Sequence, residues 1–274
     1  MNEINLDSWA AFEEQFQILE NERFKNRSKS KFLYRGQESH CLDLLSTLER
    51  HRQEGTSIRE YHHLISVVKP QIESFTGGNW NILSYPEGIN KWLEENSTFI
   101  PHAFGCSREF QDTYSYMAYL RHYGFPSPMI DWTASPYVAA YFAFRRVLPS
   151  TKKVSIYVFL ESISEIGLKS GSSSEPCIYK LGPYVKADRR HFIQQSQYTI
   201  CVLHDGEWRY EPHEKAFARC TTDQDVLWKF DIPYSERLKV LRLLDSYNIN
   251  ALSLFGSADG LMETMALREI ELIR

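Results

Sequence analysis

The stretch "LRHYGFPSPMIDWTASPYVAAYFAF", residues 120–144, determines the fold that we expect. Residues 129–132 are a short apolar run typical of a strand, and residues 136–147 have the composition of an apolar helix. Pro136 suits the first turn of that helix, because the first N–H groups of a helix have no internal partners and proline lacks this group. The sequence therefore predicts a strand that leads almost directly into a helix.

Polar side chains lie at the junction between this strand and this helix, namely Asp131, Thr133 and Ser135. Thr133 or Ser135 can cap the helix, and the free N–H groups at its positive end can bind a phosphate or orient a polar ligand. Two interpretations stay open at this point. The three residues only cap the helix, or they belong to a ligand-binding site.

A second short stretch, "KFLYRGQESH" at residues 31–40, places an arginine and a glycine after a predicted strand at 31–34. Arg35 is either an ordinary surface arginine or an anion-binding residue. A guanidinium binds phosphate through a planar two-point contact that lysine cannot reproduce. Gly36 beside it would let a ligand approach the backbone.

The rest of the chain alternates between helical and strand-like patterns. Residues 7–24 predict an amphipathic helix, and residues 57–122 show helical periodicity without a convincing strand. Further strands are predicted at 154–160, 198–204, 225–233 and 251–255, and further helices at 236–247 and 259–272. We expect an α+β fold with a mixed, mainly antiparallel sheet, flanking helices and a helical insertion at about 57–122 after the first strand. Residues 1–30 would be an N-terminal helical segment and residues 31–274 the main domain.

Composition limits the class of protein. The 274 residues are 43% hydrophobic, which is enough for a large core, and the net charge of -4 gives no overall basic field that would attract nucleic acid or anionic lipid. The five cysteines are odd in number and include no CxxC pair, which indicates a reducing compartment without a metal site. The polar start of the chain and the short apolar runs predict a cytoplasmic protein without a membrane segment.

Two other features have open interpretations. His122 is either a general base or polar anchor in a site, or a core histidine bonded to a backbone carbonyl. The one clear basic cluster contains Lys186, Arg189 and Arg190. It is either a solvated loop or a place where nucleic-acid phosphates bind.

The order of these motifs resembles the FRG domain family, named for its Phe-Arg-Gly motif. "FLYRGQ" and the stretch at 120–144 carry the resemblance, together with "DRRHFIQQSQYTI" at 188–200 and "INALSLFGSADGL" at 249–261. Tyr34 stands in place of the family's phenylalanine, Ser196 in place of a glycine and Gly256 in place of a proline. The resemblance runs from about residue 32 to about residue 261.

The FRG motif order is in turn similar to that of ADP-ribosyltransferases, which implies an ADP-ribosyltransferase-like fold with NAD as substrate. By this similarity Arg35 would hold NAD, and Thr133 and Ser135 would support the nicotinamide pocket. Gln195 falls in the third motif, where a glutamate is usual and this chain has "IQQSQ". Asp131 could stabilise the positive charge that develops on the ribose.

The resemblance thus implies two sets of site residues. The catalytic set is Arg35, Asp131, Thr133 and Gln195. The set that binds NAD is Tyr34, Arg35, Gly36, His122, Tyr123, Trp132 and Ser135, with the aromatic rings stacking on a base or on nicotinamide.

The implied function is an NAD-consuming effector or toxin of a toxin–antitoxin or anti-phage system. It would modify RNA or protein and have a neutralising antitoxin protein as a partner. Two alternatives stay open: an NAD glycohydrolase, and a non-catalytic sensor that binds a nucleotide or nucleic acid. A glutamate in the cleft would favour an enzyme, whereas a pocket of Arg35 and aromatic rings without a carboxylate would favour the sensor.

Overall fold

The computed structural model describes residues 1–52, 55–96, 108–148, 150–163, 169, 174–181, 189–219 and 223–273, without the side chains of residues 108, 109 and 189. Nine strands in these ranges form one sheet. They are β1 (Asn2–Asn5), β2 (Leu33–Gln37), β3 (Thr56–Ser57), β4 (Ile130–Thr133), β5 (Lys153–Ser162), β6 (Cys177–Leu181), β7 (Ser196–Asp205), β8 (Glu207–Tyr210) and β9 (Gln224–Pro233).

The strand order is β1-β9-β5-β2-β4-β7-β8-β3, and β6 also pairs with β7. The β1–β9 pair is parallel, and the other pairs are antiparallel. Helices flank the sheet. The expectation of an α+β fold with a mixed, mainly antiparallel sheet and flanking helices is confirmed.

The described helices are α1 (Trp9–Lys25), α2 (Thr47–His51), α3 (Ile58–Thr76), α4 (Glu87–Glu95), α5 (Arg108–His122), α6 (Pro136–Phe144), α7 (Arg189–Ile193), α8 (His213–Phe217), α9 (Arg237–Ser246), α10 (Ala251–Phe255) and α11 (Ala258–Ala266). A 3₁₀ turn at Tyr234–Glu236 precedes α9, and a π-helical segment at Leu267–Glu271 follows α11. None of these helices is long and apolar enough to cross a bilayer. Helices α3, α4 and α5 occupy the predicted insertion.

The strand β5 explains how the core is divided. Val154, Ile156 and Val158 point to one face, where α1, α6 and α9 cover the sheet. Tyr157 and Phe159 point to the other face, where they join a cluster that includes α8. An uninterrupted run of β-branched and aromatic residues is therefore buried on both sides, as such runs usually are.

The junction at β4 and α6 forms as its residues predict. Pro136 is the first residue of α6, and the Ser135 hydroxyl accepts a hydrogen bond from the Val138 N–H at 3.3 Å. Helix α6 then packs closely on β2. A Cβ added at Gly36 would overlap the carbonyl oxygen of Ala139 and lie 2.7 Å from the nitrogen of Ala143.

Four sequence-based expectations need correction. Residues 251–255 are a helix rather than a strand, because Asn250 forms a capping box at one end and Gly256 adopts a φ of 60° at the other. The first residues are not purely helical, since Asn2–Asn5 pairs with β9. The helix expected at 136–147 ends at Phe144. Arg35 lies inside β2 rather than after it, because the strand extends to Gln37.

Candidate functional site

The sheet opens between β2 and β4. These two strands share a single bridge, Tyr34 with Thr133. Beyond it, residues 35–37 pair only with β5, and residues 130–132 pair only with β7. The two strands therefore leave a gap in the sheet on one side of the bridge.

A cleft of about 390 Å³ lies at this gap. Its lining comes from β2, β4, α2, the C-terminal end of α5, α6 with the two residues after it, and the chain around α7 and α10. The lining residues are Tyr34, Arg35, Gly36, Gln37, Glu38, Leu42, Arg50, Arg121, His122, Asp131, Trp132, Thr133, Ala139, Phe142, Arg145, Arg146, Arg190, Gln194, Ser196 and Phe255.

The cleft is strongly positive although the chain as a whole is acidic. Six arginines line it, and only Glu38 and Asp131 provide carboxylates among the lining residues. The Arg121 guanidinium pairs with Asp131 at 2.7 Å, and Arg146 lies 3.4 Å from Glu38. The excess of positive charge suits an anionic ligand.

Arg35 lies at the centre of this arrangement. Its Nη1 donates a hydrogen bond to the backbone carbonyl of Asp131 at 2.8 Å, and its Nε is buried without a partner. Burial lowers the pKa of Arg35 to about 10, and the nearby Arg121 and Arg50 add to this effect, whereas Asp131 opposes it. The guanidinium thus stays charged at neutral pH and carries a donor that no described residue uses.

Asp131 and Arg121 form the neighbouring pair. Asp131 Oδ2 accepts from Arg121 Nη2, while Asp131 Oδ1 and Arg121 Nε are buried without partners. Buried polar atoms without partners are uncommon in folded proteins. Five of them belong to residues that line this one cleft, because Arg35 Nε, Gln37 Oε1 and Glu38 Oε2 are also without hydrogen-bond partners, and a bound ligand or water could satisfy them.

The hydroxyls of Thr133 and Ser135 are engaged within the protein. Thr133 Oγ1 donates to the Gln194 carbonyl at 2.7 Å and accepts from the Ser135 N–H at 3.1 Å. Ser135 caps α6. Thr133 pairs with Tyr34, the residue before Arg35, so the Thr133 and Arg35 side chains leave the sheet on opposite faces. Both residues nevertheless line the same cleft. Ser135 does not line it.

The aromatic residues expected to stack on a ligand do not present their rings to the cleft, although Tyr34 and Trp132 contribute to its lining. The Trp132 ring is only 3% exposed and its Nε1 donates to Thr199 Oγ1 at 2.8 Å, so it belongs to the core. Tyr34 is also buried and packs against Phe16 in an edge-on contact. Tyr123 is 65% exposed and does not line the cleft. These rings therefore do not form a stacking surface inside the cleft.

Gln195 is close to the cleft but does not line it. It is exposed, with a φ of 49°, and its carbonyl accepts a hydrogen bond from the Ala134 N–H at 3.0 Å. Its neighbours Gln194 and Ser196 provide the lining instead. The role predicted for Gln195 therefore stays a prediction, and its side chain is not part of the cleft lining.

His122 has a partner on the neighbouring strand β7. Its Nε2 lies 2.7 Å from the Tyr198 hydroxyl, and His191 Nδ1 lies 3.3 Å from the same hydroxyl. Burial lowers the pKa of His191, and His122 lowers it further. His122 is therefore a cleft residue whose ring is oriented by contact with a buried tyrosine.

The far side of the cleft has a second group of arginines, which sequence reasoning missed except for Arg190. Arg145 forms a two-point ion pair with Glu263 at 2.6 Å, and its guanidinium lies 4.5 Å from the centre of the Phe255 ring. Arg190 donates its Nε to the Phe255 carbonyl at 3.4 Å. We call Arg145, Arg190 and Phe255 the second wall.

The predicted basic cluster is only partly described. Lys186 and the side chain of Arg189 lie outside the described residues. Arg190 lines the cleft. Arg121 and Arg145 have a signal in the sequence, since each lies beside a predicted site element: Arg121 precedes His122, and Arg145 directly follows the "AYFAF" helix.

The comparison with protein families identifies one segment of the chain. Residues 30–152 match the FRG domain. The FRG segment includes β2, β4 and α6, and thus Arg35, Asp131, Thr133 and Arg145. The recognition of an FRG motif from the sequence is confirmed for this segment.

The FRG match ends before the later motifs at 188–200 and 249–261, so the resemblance proposed for them stays a prediction. Arg190 and Phe255 lie outside the FRG segment. No curated protein and no solved structure matched the chain, so the similarity to ADP-ribosyltransferases also stays a prediction. Within the described residues, no group of three or more His, Cys, Asp or Glu side chains could hold a metal ion.

Proposed function

We propose that the cleft binds NAD and that the protein transfers ADP-ribose from NAD to a macromolecule, as an effector or toxin. The observation that carries the proposal is a gap in the sheet that contains six arginines and two carboxylates. Guanidinium groups bind phosphate through charge-assisted, two-point hydrogen bonds, which suits the two phosphates of NAD. The volume of about 390 Å³ falls in the range of small-molecule sites.

In this reaction the bond between nicotinamide and ribose C1′ breaks, and nicotinamide leaves with the bonding electron pair. A nucleophilic oxygen or nitrogen of the acceptor forms the new bond to C1′ and loses its proton. Positive charge develops on the ribose between these events, and a nearby carboxylate stabilises it. His122 lines the cleft and could accept the proton of the acceptor.

We assign the charge-stabilising role to Glu38. Its Oε2 forms a long ion pair with Arg146 Nε at 3.4 Å and makes no hydrogen bond. Asp131 is bound more closely, since Arg121 is 2.7 Å from its Oδ2. Asp131 therefore orients the two arginines that bind phosphate, Arg121 through its carboxylate and Arg35 through its carbonyl.

The test is an incubation with NAD labelled on either the adenylate or the nicotinamide, in separate reactions with protein, RNA and DNA acceptors. We expect nicotinamide release and transfer of the adenylate label to one acceptor. Glu38→Gln should lower release at least 100-fold, whereas Glu207→Gln, an exposed residue outside the cleft lining, should not change it. Release with only free ADP-ribose as product would indicate an NAD glycohydrolase instead.

A non-catalytic nucleotide-binding module is the second candidate. Two of the residues expected to be catalytic favour it. The Thr133 hydroxyl is engaged inside the protein, and Gln195 lies outside the cleft lining. Binding of ADP without any nicotinamide release would favour this candidate. Induced expression in a host cell tests the effector role, because a toxin should slow growth and Glu38→Gln should restore it.

A further inference from the structure

The second wall has donors that the protein does not use. Arg145 gives its Nε and Nη2 to Glu263, and no described residue bonds its Nη1. Arg190 gives its Nε to the Phe255 carbonyl, and its two terminal nitrogens have no partner among the described residues. These N–H groups belong to residues that line the cleft.

The positions of both guanidiniums are fixed by their surroundings. Arg145 lies over the Phe255 ring at 4.5 Å, and Arg190 lies 5.8 Å from the centre of the same ring. Glu263 holds Arg145 by two hydrogen bonds and is itself held by the Tyr141 hydroxyl at 2.8 Å. A planar cation held over an aromatic face and in an ion pair has little freedom, so it is preorganised to bind an anion.

The two groups of arginines are separate. Arg35 and Arg121 contact Asp131 on β4. The two arginines of the second wall instead contact Phe255, and Arg145 also contacts Glu263. Between them, Thr133 donates to the Gln194 carbonyl, and the Gln194 amide donates to the Leu254 carbonyl at 3.1 Å. The cleft thus has two positive sides, and these two hydrogen bonds lie between them.

The charge of the cleft exceeds the charge of one phosphate. Six arginines face the two lining carboxylates and Glu263, which leaves an excess of three positive charges. A single phosphate monoester carries about -1.5 to -2 near neutral pH. The linked phosphates of NAD carry about two negative charges and those of ADP about three, so this excess is large enough for two linked phosphates.

We propose that the second wall is a second anion subsite, which makes the cleft selective for a nucleotide with two linked phosphates over one with a single phosphate. The first phosphate binds at Arg35 and Arg121, and the second binds at Arg145 and Arg190. Phe255 and Glu263 are positioning residues that hold this second pair. The inference rests on the proposed nucleotide-binding function of the cleft, and it assigns a role to residues beyond the FRG segment.

The test compares ADP with AMP by isothermal titration calorimetry, since neither compound carries nicotinamide and neither can be turned over. The wild type should bind ADP at least tenfold more tightly than AMP. Arg190→Ala and Phe255→Leu should reduce the ratio of ADP affinity to AMP affinity to less than threefold. Arg35→Lys should weaken the binding of both ligands. Arg242→Ala, an exposed arginine outside the cleft lining, should leave both affinities unchanged.

A positioning role for Glu263 has its own readout. Glu263→Gln should lower the ADP-to-AMP ratio, and Tyr141→Phe, which removes one supporting hydrogen bond, should lower it less. Thermal melts identify any variant that does not fold, and Arg190→Ala keeps the test valid because Arg190 is a partly exposed side chain.

Three results would overturn the subsite: equal affinity of the wild type for ADP and AMP, an unchanged ratio in folded Arg190→Ala, or tighter binding of a ten-nucleotide uridylate strand than of ADP. The last result would show that the cleft selects a nucleic-acid strand. The proposed reaction fails separately, by absence of nicotinamide release from NAD, and that result leaves the ADP-to-AMP ratio unaffected.

Discussion

Arg35 Nη1 donates a hydrogen bond to the backbone carbonyl of Asp131 across the gap between β2 and β4. One side chain therefore bridges two strands that have separated, and it keeps other donors for a ligand. Its pKa is lowered to about 10 by burial, so it is charged at neutral pH. Arg35 therefore has both a structural contact and a role in the proposed function.

Substitution of Arg35 should separate these two roles. Arg35→Ala should lose about 1–3 kcal/mol of unfolding free energy, because a buried carbonyl loses its charged partner, and should abolish NAD turnover. Arg35→Lys should retain more stability but lose most turnover, since an ammonium cannot make the planar two-point contact. Urea unfolding measured beside nicotinamide release gives both quantities.

Arg59→Lys provides the matched control, because Arg59 is exposed and does not line the cleft. Full turnover in a well-folded Arg35→Lys protein would contradict the two-point contact. Full turnover in Arg35→Ala would remove Arg35 from the site.

Gly36 should be required for folding rather than only for ligand approach. A Cβ there would overlap the backbone of α6 at Ala139, so Gly36→Ala should cost more than about 3 kcal/mol and leave little soluble protein. Gly206→Ala is the control, because its φ is 71° but no atom lies within 4 Å of the added Cβ. It should cost about 1 kcal/mol, from backbone conformation alone.

A soluble Gly36→Ala protein with wild-type unfolding and lost ADP binding would show the opposite. In that case the glycine would serve the ligand and not the packing of α6. Expression yield, thermal melts and ADP titration distinguish the two outcomes.

The local signals in the sequence were sufficient for the junction of β4 and α6. Ser135 as the capping residue and Pro136 as the first helical residue predict where the helix starts. The structure has the helix start at this position. The short run at 251–255 does not predict its own structure, because four apolar residues around Ser253 fit either a strand or a helix. The capping residue Asn250 and the terminal Gly256 were the signals that distinguish them.

The cleft depends on contacts that a local pattern does not contain. The gap between β2 and β4 follows from the single Tyr34–Thr133 bridge, which joins residues about a hundred positions apart in the chain. Arg145 reaches its partner Glu263 over a similar separation. Arg35 and Asp131 can be predicted as site residues from their motifs. The second wall is visible only in the folded chain, because its residues are far apart in the sequence.

Trp132 should contribute mainly to stability. Its ring is 3% exposed, lies 5.4 Å from the Phe159 ring, and donates its N–H to Thr199. Trp132→Ala should therefore lose about 3–5 kcal/mol of unfolding free energy. Trp132→Phe should lose less, because it keeps much of the packing and removes the hydrogen bond, which contributes about 1 kcal/mol.

The control is Tyr123→Ala, which removes an aromatic ring that is 65% exposed and should change stability by less than about 0.5 kcal/mol. Urea unfolding followed by circular dichroism measures all three variants. Equal unfolding midpoints for Trp132→Ala and wild type would show that the ring does not support the core.

His213 should make the stability of the protein depend on pH. It is fully buried, and burial, with Lys169 and Arg35 nearby, lowers its pKa to about 3 from an ordinary value of 6.5. Between these two values the unfolded chain binds a proton that the folded chain excludes. The contribution of His213 to stability is therefore complete above pH 6.5 and is lost as the pH falls toward 3, by up to about 1.4 kcal/mol per pH unit.

His213→Gln removes this titration while its amide can still bond Thr199, the partner of His213 Nε2 at 2.9 Å. We expect the difference in unfolding free energy between wild type and His213→Gln to shrink, or to change sign, as the pH is lowered from 7 to 4. The same substitution at His51, which is exposed, should leave the pH dependence as in the wild type. Urea unfolding at half-unit pH steps measures it, and parallel curves for wild type and His213→Gln would mean that this histidine binds its proton equally well in the folded protein.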